Sequence, residues 1–368
     1  MTSIQKANDN RLVSLDAYRG ITMFLLIGES ARIYGAFEGM FSEGSVGHMF
    51  FTQFTHHPWN GLRFWDLIQP FFMFIVGVAM PFSLNKRLAK QGDKGKVTRH
   101  ILKRCLLLFL FGTGLYCINA GELVFELWNV LTQLSFTILV TYFIINKPLK
   151  TQLAISIGLL LLTELMYRLY EPAAPFVKGE NFGSYVDLIL MGKLSSGGWV
   201  AINCIPTTVH TLWGAMCGKI LLSQRPSDLK IKYLLIAGLS GLVLGYGLDW
   251  SGITPIIKRI CTSSFILASG GWAILVLTFF FWFIDVKKVN QWPFMFTVVG
   301  MNSIFIYLFA NLLGHGWLAK VVHVFNYGFL EPLGFPENLL ALLNGVFTLA
   351  IMWYLCYFFY KKKVFFKI

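Results

Sequence analysis

A histidine pair and a carboxylate lie close together in the first quarter of the sequence. The run HHPWNGL occupies residues 56–62, and Asp66 and Gln69 follow it three residues apart, so they share one helical face. Imidazole accepts and returns a proton near neutral pH, and a nearby carboxylate can orient the ring. The pattern makes His56 and His57 candidates for proton transfer, but a histidine in a loop is more often structural than catalytic, so the residues alone predict only a polar cavity beside Asp66. The competing interpretation is that Asp66 only caps a helix or forms a structural ion pair.

The elements that must position these residues are long apolar helices. Of the 368 residues, 56% are hydrophobic and only 13% are charged, against about 25% charged in soluble domains. A helix needs roughly 20 apolar residues to cross a bilayer. We therefore predict an all-α integral membrane protein, a polytopic bundle of about ten transmembrane helices (ten to eleven) in a single domain over residues 1–368. The predicted spans are 13–36, 62–84, 101–118, 124–146, 152–170, 199–222, 231–249, 260–284, 294–313 and 338–360.

The orientation of this bundle is indicated by its cations. When the loops are assigned alternately to the two sides, most Lys and Arg residues outside the spans fall on one side, which is typical of the cytoplasmic face. This predicts that both termini are cytoplasmic and that the HHPWNGL run lies at the outer face. The polar N-terminus has no small-residue cleavage site after it, so we expect no signal peptide to be removed.

Ionisable and amide side chains occur within the predicted spans. An ionised group at the bilayer centre costs roughly 2.5–3.5 kcal/mol, so each needs a partner or a function. Asp16 and Arg19 share a face and can neutralise each other, and Glu29 follows near the outer end of the same span. Any one polar residue is commonly an interhelical hydrogen-bond partner. Polar residues nevertheless occur on five of the spans, which predicts an internal polar site. Besides Asp66, Gln69 and the three residues of the first span, they are Asn129, Gln133, Asn203, Thr207, His210, Asn302, Ser303 and Tyr307.

Other classes of protein are disfavoured. The net charge of +13 comes from loop cations that the topology explains, so we expect no nucleic acid partner. The six cysteines form no CxxC pair and no metal-ligand spacing, so we expect buried thiols and no metal. No GxSxG, HExxH, Walker or GxGxxG motif is present to indicate hydrolase, metalloprotease or nucleotide chemistry.

Taken together, several short motifs resemble one family. The chain is similar to the heparan-alpha-glucosaminide N-acetyltransferase family and its bacterial relatives, and the matching runs follow the family order from about residue 11 to 310. An LDxxRG start is shared with other membrane acyltransferases, but its combination with HxxWNGLxxxDLxxP is more specific. The runs are RLVSLDAYRG at 11–20, HHPWNGL at 56–62, DLIQP at 66–70, FIVG at 74–77, IPTT at 205–208, TSSF at 262–265 and GMNS at 300–303.

The resemblance implies a transmembrane N-acetyltransferase that takes acetyl from acetyl-CoA, its co-substrate, and passes it to the amine of a glucosamine-type sugar. The family's catalytic histidine opens the HxxWNGL motif and maps onto His56, which would carry the acetyl group transiently or deprotonate the amine. Asp66 would orient that ring. Asn60, Gln133 or Asn302 would stabilise the oxyanion. The full set of expected substrate or acyl-CoA contacts is Asp16, Arg19, Glu29, Asn60, Gln69, Gln133, His210 and Asn302.

This chain departs from the family pattern in the expected acceptor region. Glu29 and Ser30 stand where the family usually has Asn, and Gln69 stands where it usually has Phe. We expect no counterpart of the animal enzyme's long luminal N-terminal region, so the resemblance predicts acyl transfer better than it predicts the acceptor. The anionic end of acyl-CoA is expected at cytoplasmic cations that also satisfy the positive-inside rule, namely Lys86, Arg87, Lys103 and Arg104.

Two alternatives remain open from the sequence. One is a proton-coupled transporter of a sugar or amino-sugar derivative, with Asp16, Arg19, Asp66 and His210 as coupling groups. The other is an O-acyltransferase of a cell-envelope polysaccharide. In the preferred interpretation the protein lies in a bacterial inner membrane. Its partners are then acetyl-CoA, a small amino-sugar or glycan acceptor and membrane lipid, with a homodimer as an open option.

Overall fold

The computed structural model describes residues 12–289, 293–366 and 368, and this part of the chain contains helices and no strands. Arg11, which begins the RLVSLDAYRG run, lies outside the described residues. The helices of the first half are α1 Val13–Ser30, α2 Ile33–Glu38, α3 Val46–Thr52, α4 Ile68–Gln91, α5 Lys94–Ala120, α6 Val130–Ile144, α7 Leu149–Tyr170 and α8 Phe182–Met191. A 3-10 turn at Phe64–Leu67 leads directly into α4.

The second half of the chain has the same character. Its helices are α9 Cys204–Leu222, α10 Ser227–Trp250, α11 Ser263–Phe280, α12 Phe294–Met301, α13 Ser303–Phe309, α14 Ala319–Leu330 and α15 Glu337–Lys361. A π-helical stretch extends α11 to Val286, and another joins α13 to α14 over Ala310–Leu318. The all-helical prediction is confirmed for the described residues.

Within the described residues, seven helices are long and apolar enough to cross a membrane. They are Phe64–Lys90, Lys94–Ala120, Leu149–Tyr170, Ser227–Trp250, Ser263–Val286, Ser303–Leu333 and Glu337–Lys361. Three of the ten predicted spans, 13–36, 124–146 and 199–222, correspond to the helices α1, α6 and α9, which are outside this set of seven. These three helices are shorter than the seven and contain polar residues. Ten spans and cytoplasmic termini therefore stay predictions.

One predicted loop is wrong. Residues 314–337 lie between two predicted spans and are rich in Gly, Pro and aromatic residues, which predicts an outer loop, but the structure continues as helix from Ser303 to Leu333. Gly314 has a packing role instead, because a Cβ there would lie 2.9 Å from the sulfur of Met352 on α15. The glycine permits close helix packing and does not end the helix.

The centre of the bundle is formed by α4 and α11, most of whose residues are buried, whereas α5, α7, α10 and α15 are mostly exposed, as expected of helices that face lipid. The close approach of α4 to α9 requires glycine. A Cβ at Gly77 would collide with the carbonyl of Thr211, and one at Gly214 with the carbonyl of Phe74. This packing holds the middle of α4 against the middle of α9.

Three non-helical segments meet at the same end of the bundle. They are residues 53–63 before α4, residues 192–200 before α9 and residues 251–262 before α11. The amide of Gly61 donates to the carbonyl of Ile256 at 2.8 Å, and the Arg259 guanidinium donates to the carbonyl of Gly197. These bonds bring residues that are distant in sequence to the HHPWNGL run.

Candidate active site

The HHPWNGL run is folded into a compact loop by Asp66. One carboxylate oxygen of Asp66 accepts hydrogen bonds from the backbone amides of His57, at 3.2 Å, and Arg63, at 3.0 Å. Gly61 has a φ of +143°, and a Cβ there would lie 2.6 Å from a His57 ring nitrogen, so the loop requires glycine at this position. The local sequence therefore determines where His56 is held.

The other carboxylate oxygen of Asp66 contacts His56. The distance from Oδ1 to the imidazole Nδ1 is 3.0 Å, and the Asp66 side chain is 1% exposed while that of His56 is 34% exposed. When Nδ1–H donates to this carboxylate, the lone pair of Nε2 is left free. The structure thus brings together the two residues that the sequence predicted as base and support.

Lys258 is a third member of this cluster, and sequence reasoning missed it. Its ammonium nitrogen lies 3.1 Å from His56 Nδ1 and 3.6 Å from Asp66 Oδ1, and its side chain is 6% exposed. A signal was present: Lys258 and Arg259 are cations in a predicted outer loop, where the positive-inside rule disfavours them, directly before the TSSF run. Their position pointed to a role other than topology.

The environment of the cluster shifts the pKa values of its two basic members. Burial lowers the pKa of His56 below its ordinary 6.5; the Asp66 carboxylate opposes this shift and the Lys258 charge adds to it. Burial also lowers the pKa of Lys258 to about 8, against the opposing effect of Asp66. At neutral pH the imidazole is therefore mostly uncharged, while Lys258 is mostly an ammonium ion.

The indole of Trp199 forms a wall beside the cluster. The Lys258 ammonium and the Arg259 guanidinium each lie 5.4 Å from the centre of its ring, within cation–π range. The His56 ring meets the same indole edge to face, with centroids 5.7 Å apart. Trp199 thus restricts both the imidazole and the two cations.

Two cavities meet at His56. The inner cavity, of about 190 Å³, is lined by apolar side chains including Met23 and Phe72, and also by Gln69 and Lys258. The outer cavity, of about 760 Å³, carries cations and aromatic rings, including Arg32, Tyr34, Lys320 and Tyr327. Glu29, His56 and Trp65 line both cavities. His56 therefore lies at the junction of a mainly apolar chamber and a wider polar one.

Three of the residues predicted as binding contacts are connected to this junction. Glu29 and Gln69 line the inner cavity. Gln69 donates to the Gln133 carbonyl oxygen, Gln133 donates to Asn203 at 2.5 Å, and Asn203 donates to the Arg259 carbonyl at 3.4 Å. This chain of amides ties the inner cavity to the segment that carries Lys258. Gln133 is thereby engaged in holding Gln69 and not in facing the cavity.

Two of the predicted oxyanion donors lie elsewhere. Asn60 lines a separate surface pocket with Trp59 and Lys178. Asn302 is fully buried, donates to the Val364 carbonyl at 3.2 Å and accepts from the Phe366 amide at 3.0 Å. Asn302 therefore holds the segment after α15, and neither asparagine lines the two cavities at His56. The sequence showed that both residues are amides able to donate hydrogen bonds, but not which surfaces they line.

The remaining predicted contacts also lie away from His56. Asp16 and Arg19 pair with each other at 2.5 Å near the start of α1, about 20 Å along that helix from Glu29. His210 is fully buried and contacts the Ser269 hydroxyl through Nε2 at 2.9 Å. The structure agrees with the local ion-pair interpretation of Asp16 and Arg19, and it places His210 in helix packing.

The cations expected to bind the anionic end of acyl-CoA lie toward the opposite end of the bundle. Lys86 and Arg87 are in the last turns of α4, about 30 Å along the helix from Asp66. Lys103 and Arg104 follow on α5. Among the residues that the structure describes, no group of three or more His, Cys, Asp or Glu side chains is arranged to hold a metal ion.

The motif resemblance is confirmed by comparison with known proteins. The chain is 25% identical to human heparan-alpha-glucosaminide N-acetyltransferase over 97% of its own length and 60% of the human protein. It is 23% identical to the mouse protein of the same name over 99% of its length and 61% of the relative. The chain thus corresponds to about three fifths of each of these curated relatives.

A family model also matches the chain. The match covers residues 11–213, which include the HHPWNGL run, Asp66 and the amide chain from Gln69 to Asn203, but not Lys258. It extends over more than half of the chain. The chain belongs to the family described as domain of unknown function (DUF5009).

Proposed function

We propose that this protein is a membrane-embedded acetyltransferase that moves acetyl from acetyl-CoA to the amine of a glucosamine-type sugar. The observation that carries the proposal is the pairing of His56 Nδ1 with Asp66 at 3.0 Å, on a histidine that lines both cavities. The similarity to two N-acetyltransferases over nearly the whole chain supports the same reaction.

In the direct route, His56 is the general base. The acceptor amine attacks the thioester carbonyl, a C–N bond forms, and the C–S bond breaks with release of CoA. The proton lost by the amine passes to Nε2 of His56 and then to the departing thiolate. Asp66 stabilises the imidazolium that forms between these two steps.

The same nitrogen also serves a two-step route. Nε2 attacks the thioester, the C–S bond breaks, and CoA leaves as the thiolate from an acetyl-imidazolium whose Nδ1–H faces Asp66. The acceptor amine then forms the C–N bond as the bond to Nε2 breaks, and the proton that it loses passes through Nε2 to solvent, where it balances the released thiolate. Both routes require an uncharged imidazole, in agreement with the lowered pKa of His56. Mass spectrometry of protein incubated with acetyl-CoA and no acceptor separates them, because only the second route leaves acetyl on His56.

The inner cavity suits the acyl end of the donor. Its volume of about 190 Å³ and its apolar lining at Met23, Ile68 and Phe72 suit an acetyl thioester. Gln69 uses one amide N–H to hold Gln133 and has a second available to the thioester oxygen. In this proposal Gln69 replaces the oxyanion donors expected from the sequence.

The outer cavity suits the sugar. Its volume of about 760 Å³ accommodates a monosaccharide or the end of a glycan, with Tyr34 and Trp65 offering aromatic faces. Glu29 lies at the junction, where its carboxylate attracts the cationic form of an amine toward His56. This proposal accounts for a carboxylate where the family usually has an amide.

The test is acetyl transfer by purified protein with acetyl-CoA and glucosamine. His56→Gln is expected to lower kcat by at least about 10²-fold, because general-base catalysis contributes about 10²–10⁴-fold. His57→Gln is the matched control, since only the backbone amide of His57 contacts Asp66. Activity of His56→Gln equal to that of the native protein would remove His56 from the mechanism.

The setting that we propose is a bacterial inner membrane with both termini in the cytoplasm. Acetyl-CoA then enters from the cytoplasmic end, near Lys86 and Arg87, and its pantetheine arm crosses part of the bundle toward His56. The seven apolar helices and the similarity to N-acetyltransferases support a membrane location. Contact with lipid and assembly as a homodimer belong to the same proposal.

A further inference from the structure

The imidazole of His56 is surrounded by charges from three separate parts of the chain. They are Asp66 before α4, Lys258 and Arg259 before α11, and Glu29 of α1, which lines both cavities with His56. Two are acids and two are bases, so an uncharged imidazole completes an environment with balanced charge. The guanidinium of Arg63 is bound to the backbone carbonyl of His56 at 3.2 Å and is not counted among them.

Nδ1 of His56 faces an acceptor and a cation at nearly equal distances. Asp66 Oδ1 is 3.0 Å away and the Lys258 ammonium is 3.1 Å away, while these two groups are 3.6 Å from each other. A buried carboxylate paired only with imidazole favours the imidazolium ion. An imidazolium has no lone pair and acts neither as a base nor as a nucleophile. A second cation beside the carboxylate removes that preference.

We propose that Lys258 is a positioning residue that keeps the His56 imidazole uncharged by balancing the Asp66 carboxylate, so that Nε2 is available for the reaction. This inference rests on the proposed function and specifies what the third member of the cluster does. The ammonium supplies the charge that Asp66 requires, and His56 supplies only a hydrogen-bond donor.

The surroundings of Lys258 are consistent with this role. Its side chain is 6% exposed, and Trp199 and Asp66 restrict the position of the ammonium group. Its other charged neighbour is Glu29 across the cavity, and the Cys261 thiol is nearby. A pKa of about 8 leaves Lys258 mainly protonated at neutral pH, where the balance is needed.

The experiment measures the protonation of His56 without requiring catalysis. Diethylpyrocarbonate modifies uncharged imidazole, so the pH dependence of modification at His56, followed by peptide mass spectrometry, gives its pKa. Lys258→Met is expected to raise the midpoint by about one pH unit, which slows modification at lower pH about tenfold. Lys258→Arg retains the charge and is expected to keep the native midpoint. Lys193→Met is the control, because Lys193 pairs with Glu126.

A second pair of variants keeps the test valid if Lys258→Met does not fold. Asp66→Asn leaves Lys258 beside His56 without a carboxylate, and Asp66→Asn/Lys258→Met removes both charges. The His56 midpoint is expected to be lower in the single variant than in the double variant. Equal midpoints in this pair would overturn the proposal, as would an unchanged midpoint in a folded Lys258→Met protein. Loss of the proposed function would show separately, as failure of the native protein to acetylate any amine.

Discussion

At the residue scale, one carboxylate has two tasks. Asp66 uses one oxygen to close the HHPWNGL loop through backbone amides and the other to contact His56. These contacts fit the structural interpretation of Asp66, and its role in orienting His56 stays a proposal. Because Asp66 lies within ten residues of His56, this contact could be predicted from the sequence. Lys258 is 202 residues away, and its contact with His56 depends on how α4 and α11 pack.

The pH dependence of acetyl transfer follows from the state of His56. Its pKa lies below 6.5, so the imidazole is uncharged at pH 7 and becomes protonated as the pH falls through the lowered pKa. We expect the rate with saturating substrates to be constant near pH 7 and to fall on acidification with a midpoint below 6.5. A pH–rate profile with a midpoint above 7 would contradict this protonation state.

Glu29 is predicted to select amine acceptors. Glu29→Gln removes the negative charge at the junction of the two cavities, and a charged hydrogen bond contributes about 1.5–3 kcal/mol. We expect the KM for glucosamine to rise about tenfold with a smaller change in kcat. Glu38→Gln is the control, because Glu38 accepts from the Thr52 hydroxyl outside the site. An unchanged KM in Glu29→Gln would place the amine elsewhere.

At the scale of the helices, composition predicted the elements better than their ends. Apolar runs indicated the helical class and most of the long helices, because the bilayer criterion depends only on local sequence. The continuation of α13 into α14 was missed, since Gly314 is required by the nearby Met352 on another helix. The role of Asn302 in holding the segment after α15 was likewise a consequence of tertiary packing.

The close packing of α4 on α9 is predicted to hold the site together. Gly214→Val places a side chain against the carbonyl of Phe74, and overpacking of this kind costs typically 1–3 kcal/mol. We expect a lower Tm in detergent and a parallel loss of acetyl transfer. Gly158→Val on α7 is the matched control, because open space surrounds Gly158. Equal Tm values for the two variants would contradict the close contact.

At the scale of the whole molecule, the site lies at one end of the bundle and the cationic ends of α4 and α5 lie at the other. Such an arrangement fits a donor that enters from one side of the membrane and an acceptor that enters from the other. The positive-inside rule predicts that the end carrying Lys86 and Arg87 is cytoplasmic.

That orientation can be measured with introduced cysteines in a background without the six native ones. Lys178→Cys, beside the His56 end, is expected to react with a membrane-impermeant maleimide added to intact cells. Lys363→Cys, after α15, is expected to react only after the membrane is permeabilised. Labelling of Lys363→Cys in intact cells would reverse the orientation and would place His56 on the cytoplasmic side.

The most direct test of acetyl transfer uses purified protein in proteoliposomes supplied with acetyl-CoA and glucosamine. Two quantities are followed together, the release of CoA thiol with formation of N-acetylglucosamine, and the accumulation of unmodified glucosamine in the vesicles under a proton gradient. The account predicts equal amounts of thiol and N-acetylglucosamine, and no accumulation of free sugar. Accumulation of glucosamine without CoA release would contradict it and would identify a transporter.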